Sequence, residues 1–170
     1  MSIGVVISDS QSFQAVEKKS FIISPAYTKG GYYSNALFLS NELSYEIATR
    51  CDALSKIRSW LNAKKVSKLF AYNASFDYKH LPELSSFSWY DIMKIAAYKQ
   101  YNPYLPKNAD YCSTGRLKHD YKVESLLRLL TNDYSYSETH NALFDAIDEL
   151  RLIKHLGHNL SFYDIACINK

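Results

Sequence analysis

Two short segments carry residue types that could do chemistry together. Tyr72-Asn73-Ala74-Ser75-Phe76-Asp77 ends on a carboxylate, just past the buried-type run Leu69-Phe70-Ala71-Tyr72. His140-Asn141-Ala142-Leu143-Phe144-Asp145 sets a histidine before a helix and an aspartate in its second turn. Each has an ordinary reading alone. An aspartate on a helix flank is commonly solvated, or pairs with a neighbour such as Arg151 or Lys154. A histidine at a helix start commonly caps it or fills a core. Two carboxylates at the carboxyl ends of sheet elements, joined by a histidine, are also the parts of a metal-assisted hydrolysis site.

The elements that must position these residues follow from pattern. Ile3–Ile7 is a β-branched run, Ser8-Asp9-Ser10 supplies turn chemistry, and Ser20–Ser24 is a second strand ended by Pro25, so an antiparallel hairpin with a long tip is expected. Residues 26–42 read as an irregular loop around Gly30-Gly31. Leu54, Ile57, Trp60 and Leu61 recur at helical spacing, which predicts a helix over 49–64. A short helix is expected to follow Asp77, and Asp91 is placed to cap a helix over Ile92–Lys99. Residues 100–121 hold Pro103, Pro106 and Gly115 and read as a long loop. Val123, Leu126, Leu127 and Leu130 mark another helix. The last runs over Asn141–Leu156, with Leu143, Ala146, Ile147, Leu150 and Ile153 facing inward and Gly157 just past its end. Strands first, then alternation of strand and helix, predict one α/β domain around a mixed sheet.

Composition agrees with that class. The chain has 170 residues, 47% of them hydrophobic and 22% charged, which excludes a disordered, collagenous or membrane-spanning protein. A net charge of +3 permits a polyanionic partner without requiring one. Cys51, Cys112 and Cys167 are odd in number and widely spaced, so they read as reduced thiols. The start shows no signal-peptide pattern, and a cytoplasmic location is expected.

At the two chemical segments the sequence resembles a known family. Asn73-Ala74-Ser75-Phe76-Asp77 resembles the second motif of the DEDD-type 3′–5′ exonucleases, the group of polymerase proofreading subunits and ribonuclease T. His140, then Asp145-Ala146, is similar to their third motif in the histidine subclass. Trp89-Tyr90-Asp91-Ile92-Met93 resembles the strand-to-helix segment between them, and the likeness runs in order over residues 3–157. The resemblance implies a ribonuclease-H-like α/β fold and an exonuclease acting on single-stranded nucleic-acid 3′ ends. It implies Asp77 and Asp145 as ligands to two Mg²⁺ or Mn²⁺ ions and His140 as the general base. Asn73 and Phe76 would shape the pocket for the terminal nucleotide.

One family element has no counterpart here. The first motif, Asp-x-Glu on the first, central strand, is absent, because Ser2–Ile7 aligns with the second strand. Asp9-Ser10-Gln11 follows the wrong strand, so Asp9 and Glu17 are expected to be solvated hairpin residues. The expectation is therefore a fold lacking its first central strand, with Met1 an internal methionine, and weak metal binding and impaired activity in this chain. The alternative is a catalytically inactive module of the same fold that binds nucleic acid or a protein partner.

Residues 98–122 interleave Tyr98, Tyr101, Tyr104, Tyr111 and Tyr121 with Lys99, Lys107, Arg116, Lys118 and Lys122. That pattern suits base stacking with phosphate contacts, and equally a tyrosine-rich loop packed on the domain's flank. His80, His119, His155 and His158 form no metal-ligand grouping, and Tyr32-Tyr33 beside Gly30-Gly31 carries no functional reading.

Overall fold

In the computed structural model, which describes residues 1–31, 34–38 and 44–169, the chain is a mixed α/β protein. β1 (Ser2–Ser8) and β2 (Ala15–Ser24) form the expected antiparallel hairpin, with Ile3 opposite Phe21 and Val5 opposite Lys19, but β2 starts at Ala15, so the expected long tip shortens to residues 9–14. Its tip is closed by Asp9, whose Oδ1 accepts from the N–H groups of Gln11 at 3.1 Å and Ser12 at 2.7 Å. Glu17, expected to be solvated, instead ties the hairpin to a helix: its carboxylate accepts from Trp60 Nε1 at 2.9 Å and pairs with Lys64.

A strand the pattern did not disclose, β3 (Glu46–Thr49), joins β2 in parallel, with Ile22 opposite Ile47. Only Ala48 of its four residues is buried, so no hydrophobic run advertised it. Residues 26–29 and 34–38 are short 3₁₀ turns within the expected irregular loop, while Tyr32-Tyr33 lies outside the described residues.

α1 (Arg50–Ala63) starts where Thr49 Oγ1 accepts from the Asp52 N–H at 3.2 Å. β4 (Lys68–Ala71) and β5 (Ser88–Asp91) then pair in parallel, Leu69 opposite Trp89. Between them lies α2 (Ala74–His80), which contains Asp77 instead of following it. After β5, Asp91 Oδ1 accepts from the Met93 N–H at 3.0 Å and opens α3 (Ile92–Ala96), shorter than expected. Two longer helices complete the chain, α4 (Val123–Thr131) and α5 (Ala142–Leu156), followed by a 3₁₀ turn, Leu160–Ala166.

The single mixed sheet expected from the sequence is, among the described residues, two sheets, β1-β2-β3 and β4-β5. Both lie between the same two layers. Ile3, Val5 and Ile7 of β1, with Leu69 and Ala71 of β4, pack with Leu54, Ile57 and Trp60 of α1. Phe70, on the opposite face of β4, and Tyr72, just past its end, pack with the core that α3, α4, α5 and the last 3₁₀ turn build around Ile95, Leu127, Leu152 and Tyr163. Alternation along β4 therefore feeds both layers. One edge of β1 and one edge of β4 pair with no strand among the described residues.

α5 is held against β1 at Gly4, where an added Cβ would stand 2.2 Å from the Ala142 carbonyl oxygen. Glycine is required there for close approach. Covered by β1 on one side and by α3 and α4 on others, α5 has no single buried stripe. Leu143, Leu152, Ile153 and Leu156 are buried, but so is Asp148, while Ala146, Ile147 and Leu150 are only half-buried.

Candidate active site

Asn73 sits at φ +62°, a left-handed conformation that asparagine tolerates better than most residues. That kink ends β4 and aims α2 away from it. Asn73 donates its backbone N–H to Asp91 Oδ1 at 2.9 Å, so the strand-end carboxylate of β5 fixes the turn after β4. Asp77 follows on α2, half-buried.

His140 also has positive φ, +55°, and the chain then enters α5 through Asn141. Asn141 Oδ1 caps the Leu143 N–H at 3.0 Å, and its Nδ2 donates to the Ala36 carbonyl at 2.9 Å. The approach to His140 is tied down as well. Glu138 donates its N–H to Glu124 Oε2 on α4 at 2.9 Å, and the Tyr136 hydroxyl donates to Asp148 on α5.

These anchors bring the two motif aspartates within electrostatic reach of a third acid. Glu149 lies one turn after Asp145 on α5 and accepts the Tyr72 N–H at the end of β4. Burial, then the charges of Asp77 and Asp145, push its carboxyl up to about 8. Asp145 is pushed up to about 6, chiefly by burial, with Glu138 and Asp148 adding and His140 opposing. Asp77 is raised by burial, with Asp91 adding and His80 opposing. Glu138 is raised too, first by burial, with His140 and Lys122 opposing. Asp145 makes no ion pair among the described residues; Arg151 pairs instead with Asp148 at 2.8 Å.

Glu149 is the site residue that the sequence reading missed. Its signal was present, since an acid four residues after Asp145 shares its helix face. Nothing local, however, marks that face as the one meeting β4 and α2.

The other motif residues divide. Asn73 lines an open cleft of about 360 Å³ with Tyr72, Met93, Arg116, Tyr121, Lys122, Val123 and Glu138. Phe76 does not line it. Its ring is 58% exposed and rests on His80, with centroids 4.1 Å apart. His140 is exposed at the start of α5, with its charge felt by Asp145, Glu138 and Glu124.

The donors suit a hard divalent cation in chemistry. Asp145 Oδ1 is buried without a hydrogen-bond partner among the described residues, and the clustered acids raise one another, a repulsion that a cation relieves. Among the described residues no three His, Cys, Asp or Glu side chains converge into a metal-holding group. Mg²⁺ is commonly held by one or two carboxylates, with water and substrate phosphate completing the shell, so an open set of this kind fits it.

No family model, curated protein or solved structure matches the chain. No helix among the described residues is long and apolar enough to cross a membrane.

Proposed function

We propose that the chain is a 3′–5′ exonuclease of ribonuclease-H-like fold that hydrolyses the terminal phosphodiester of a single strand with divalent metal. The observation that carries this reading is the electrostatic coupling of Asp77 and Asp145, from separate elements, to Glu149, which accepts the Tyr72 N–H at the end of β4. The sheet order supports the fold, since among the described residues β1 and β4 each leave an edge unpaired where such a fold sets a strand between them.

Asp77 and Asp145 would hold Mg²⁺ or Mn²⁺, the group that supplies Lewis-acid stabilisation of the attacking and leaving oxygens. His140, beside Asp145 but exposed, takes the proton from the attacking water, a task suited to imidazole near neutral pH. Asn73 lines the cleft at the end of β4, with Glu138, and would orient the terminal nucleotide.

The test uses 5′-labelled single-stranded DNA and RNA with Mg²⁺, Mn²⁺ or EDTA. Shortening from the 3′ end is expected with metal and is lost in EDTA. Asp77→Ala and Asp145→Ala abolish it, and His140→Ala slows it by about 10²–10⁴-fold. Activity that survives in EDTA, or in Asp145→Ala, overturns the mechanism. Strand binding without any cleavage by the wild type identifies an inactive binding module instead.

A further inference from the structure

The cleft at the end of β4 carries positive charge. Arg116 and Lys122 line it, and neither makes an ion pair among the described residues, although Glu138 lines the same cleft and feels the Lys122 charge. Two cations without an ion pair in a cleft that Glu138 also lines need an explanation, since nearby opposite charges ordinarily pair.

Arg116 is held in place. The Arg116 guanidinium lies over the Tyr121 ring, 4.7 Å from its centroid, and the Arg116 carbonyl accepts from the Cys112 N–H at 2.7 Å. The Tyr72 hydroxyl donates to the Tyr121 carbonyl, which fastens this stretch of loop to the end of β4 and so to the acid cluster. Lys122 and Val123 sit at the start of α4, where no side chain caps the helix N–H groups.

Four of the five interleaved tyrosines of the loop are otherwise engaged, and Tyr104, 56% exposed, does not line the cleft. One face of Tyr98 meets Lys94 at 4.6 Å, and one face of Tyr111 meets Lys99 at 5.2 Å. Tyr98, Tyr101, Tyr111 and Tyr121 all pack against the core on the α5 side. The rings brace cations and fill the flank, which leaves the cations as the groups turned to a ligand.

We infer that this cleft is a phosphate track, seating the phosphodiester backbone of the strand on Arg116 and Lys122 without reading its bases. It rests on the exonuclease reading, and it adds that substrate grip is electrostatic and independent of base identity. The acid cluster repels phosphate unless metal is bound, so the two cations hold the strand where the carboxylates alone would expel it.

The test is binding of short fluorescent oligo-dT and oligo-dA in EDTA, read by anisotropy between about 50 and 200 mM NaCl. Wild type is expected to bind both alike. Arg116→Met and Lys122→Met each weaken binding about threefold to tenfold and lower the log–log salt slope by about 0.7. Lys107→Met, an exposed cation of the same loop outside the cleft, leaves both unchanged. Lys122 is exposed, so its variant reads the idea even if Arg116→Met disturbs the loop. No strand binding by wild type, unchanged affinity and slope in both variants, or a strong preference for one base overturns the track. Separately, Mn²⁺-dependent hydrolysis of bis(p-nitrophenyl) phosphate by wild type and Asp145→Ala reports on the hydrolase alone. Its failure, with the binding results intact, removes the catalytic reading and leaves the track standing.

Discussion

Glu149 connects the site's chemistry to its stability. Its carboxyl moves from an ordinary 4.5 up to about 8, and that of Asp145 from 3.8 up to about 6. An acid whose folded value is raised keeps its proton in the folded state while the unfolded chain releases it. Folding therefore weakens as pH rises from the unfolded value through the folded one, here between about 4 and 8. The metal-free protein should melt at a lower temperature near pH 8 than near pH 5. Glu149→Gln, which keeps an acceptor for the Tyr72 N–H, should flatten that slope and raise the melting temperature at pH 8. Each kcal/mol recovered corresponds to about 2–4 °C at this chain length. A thermal melt series across pH decides it, and a slope equally steep in the variant would show Glu149 ionised in the folded protein.

At the level of elements, the approach of α5 to β1 places one half of the site. Gly4 lets the first turn of α5 lie on the strand, and that turn carries Asp145 behind the His140–Asn141 entry. Gly4→Ala would drive a Cβ into the Ala142 carbonyl at 2.2 Å and the Leu143 nitrogen at 2.3 Å. Both obstacles are backbone, so the helix itself must shift. The expected cost is about 1–3 kcal/mol in urea titration, in the range of overpacked sites. Metal-dependent cleavage should fall further than the remaining folded fraction explains, because Asp145 moves away from Asp77. Wild-type stability in Gly4→Ala would show that α5 does not rest on β1 this closely.

Across the whole molecule, two hydrophobic layers share the strands between them. β4 sends Leu69 and Ala71 to the α1 side and Phe70 to the other, while β5 sends Trp89 to the first and Tyr90 to the second. Neither layer can open without exposing the far face of the same strands. Unfolding should therefore be one cooperative transition despite the split sheet. Trp60 and Trp89 both report on the α1 side, and far-UV circular dichroism on the helices of both layers. Their urea midpoints should coincide; two separated midpoints would mean that the layers fold as independent units.

The sequence alone determined what depends on neighbours along the chain. The β1–β2 hairpin, α1, the Asp91 cap and the span of α5 with Asn141 and Gly157 at its ends were legible in periodicity, capping chemistry and turn residues. So was the choice of Asp77, His140 and Asp145 as a set worth testing. The tertiary structure decided what depends on residues meeting across the chain. β3 has one buried residue and takes its identity from pairing with β2. The two-sheet arrangement is a matter of which strand edges meet, which no local pattern encodes. Asp148 is buried because Tyr136 and Arg151 receive it, against the inward stripe that spacing predicts. Glu149 becomes part of the site only where α5 crosses the end of β4. Arg116 and Lys122 stood among ten interleaved loop residues until Tyr72 and Tyr121 set them in the cleft at the end of β4. Local propensity is a short-range property, whereas burial and electrostatic coupling exist only after distant segments have been packed together.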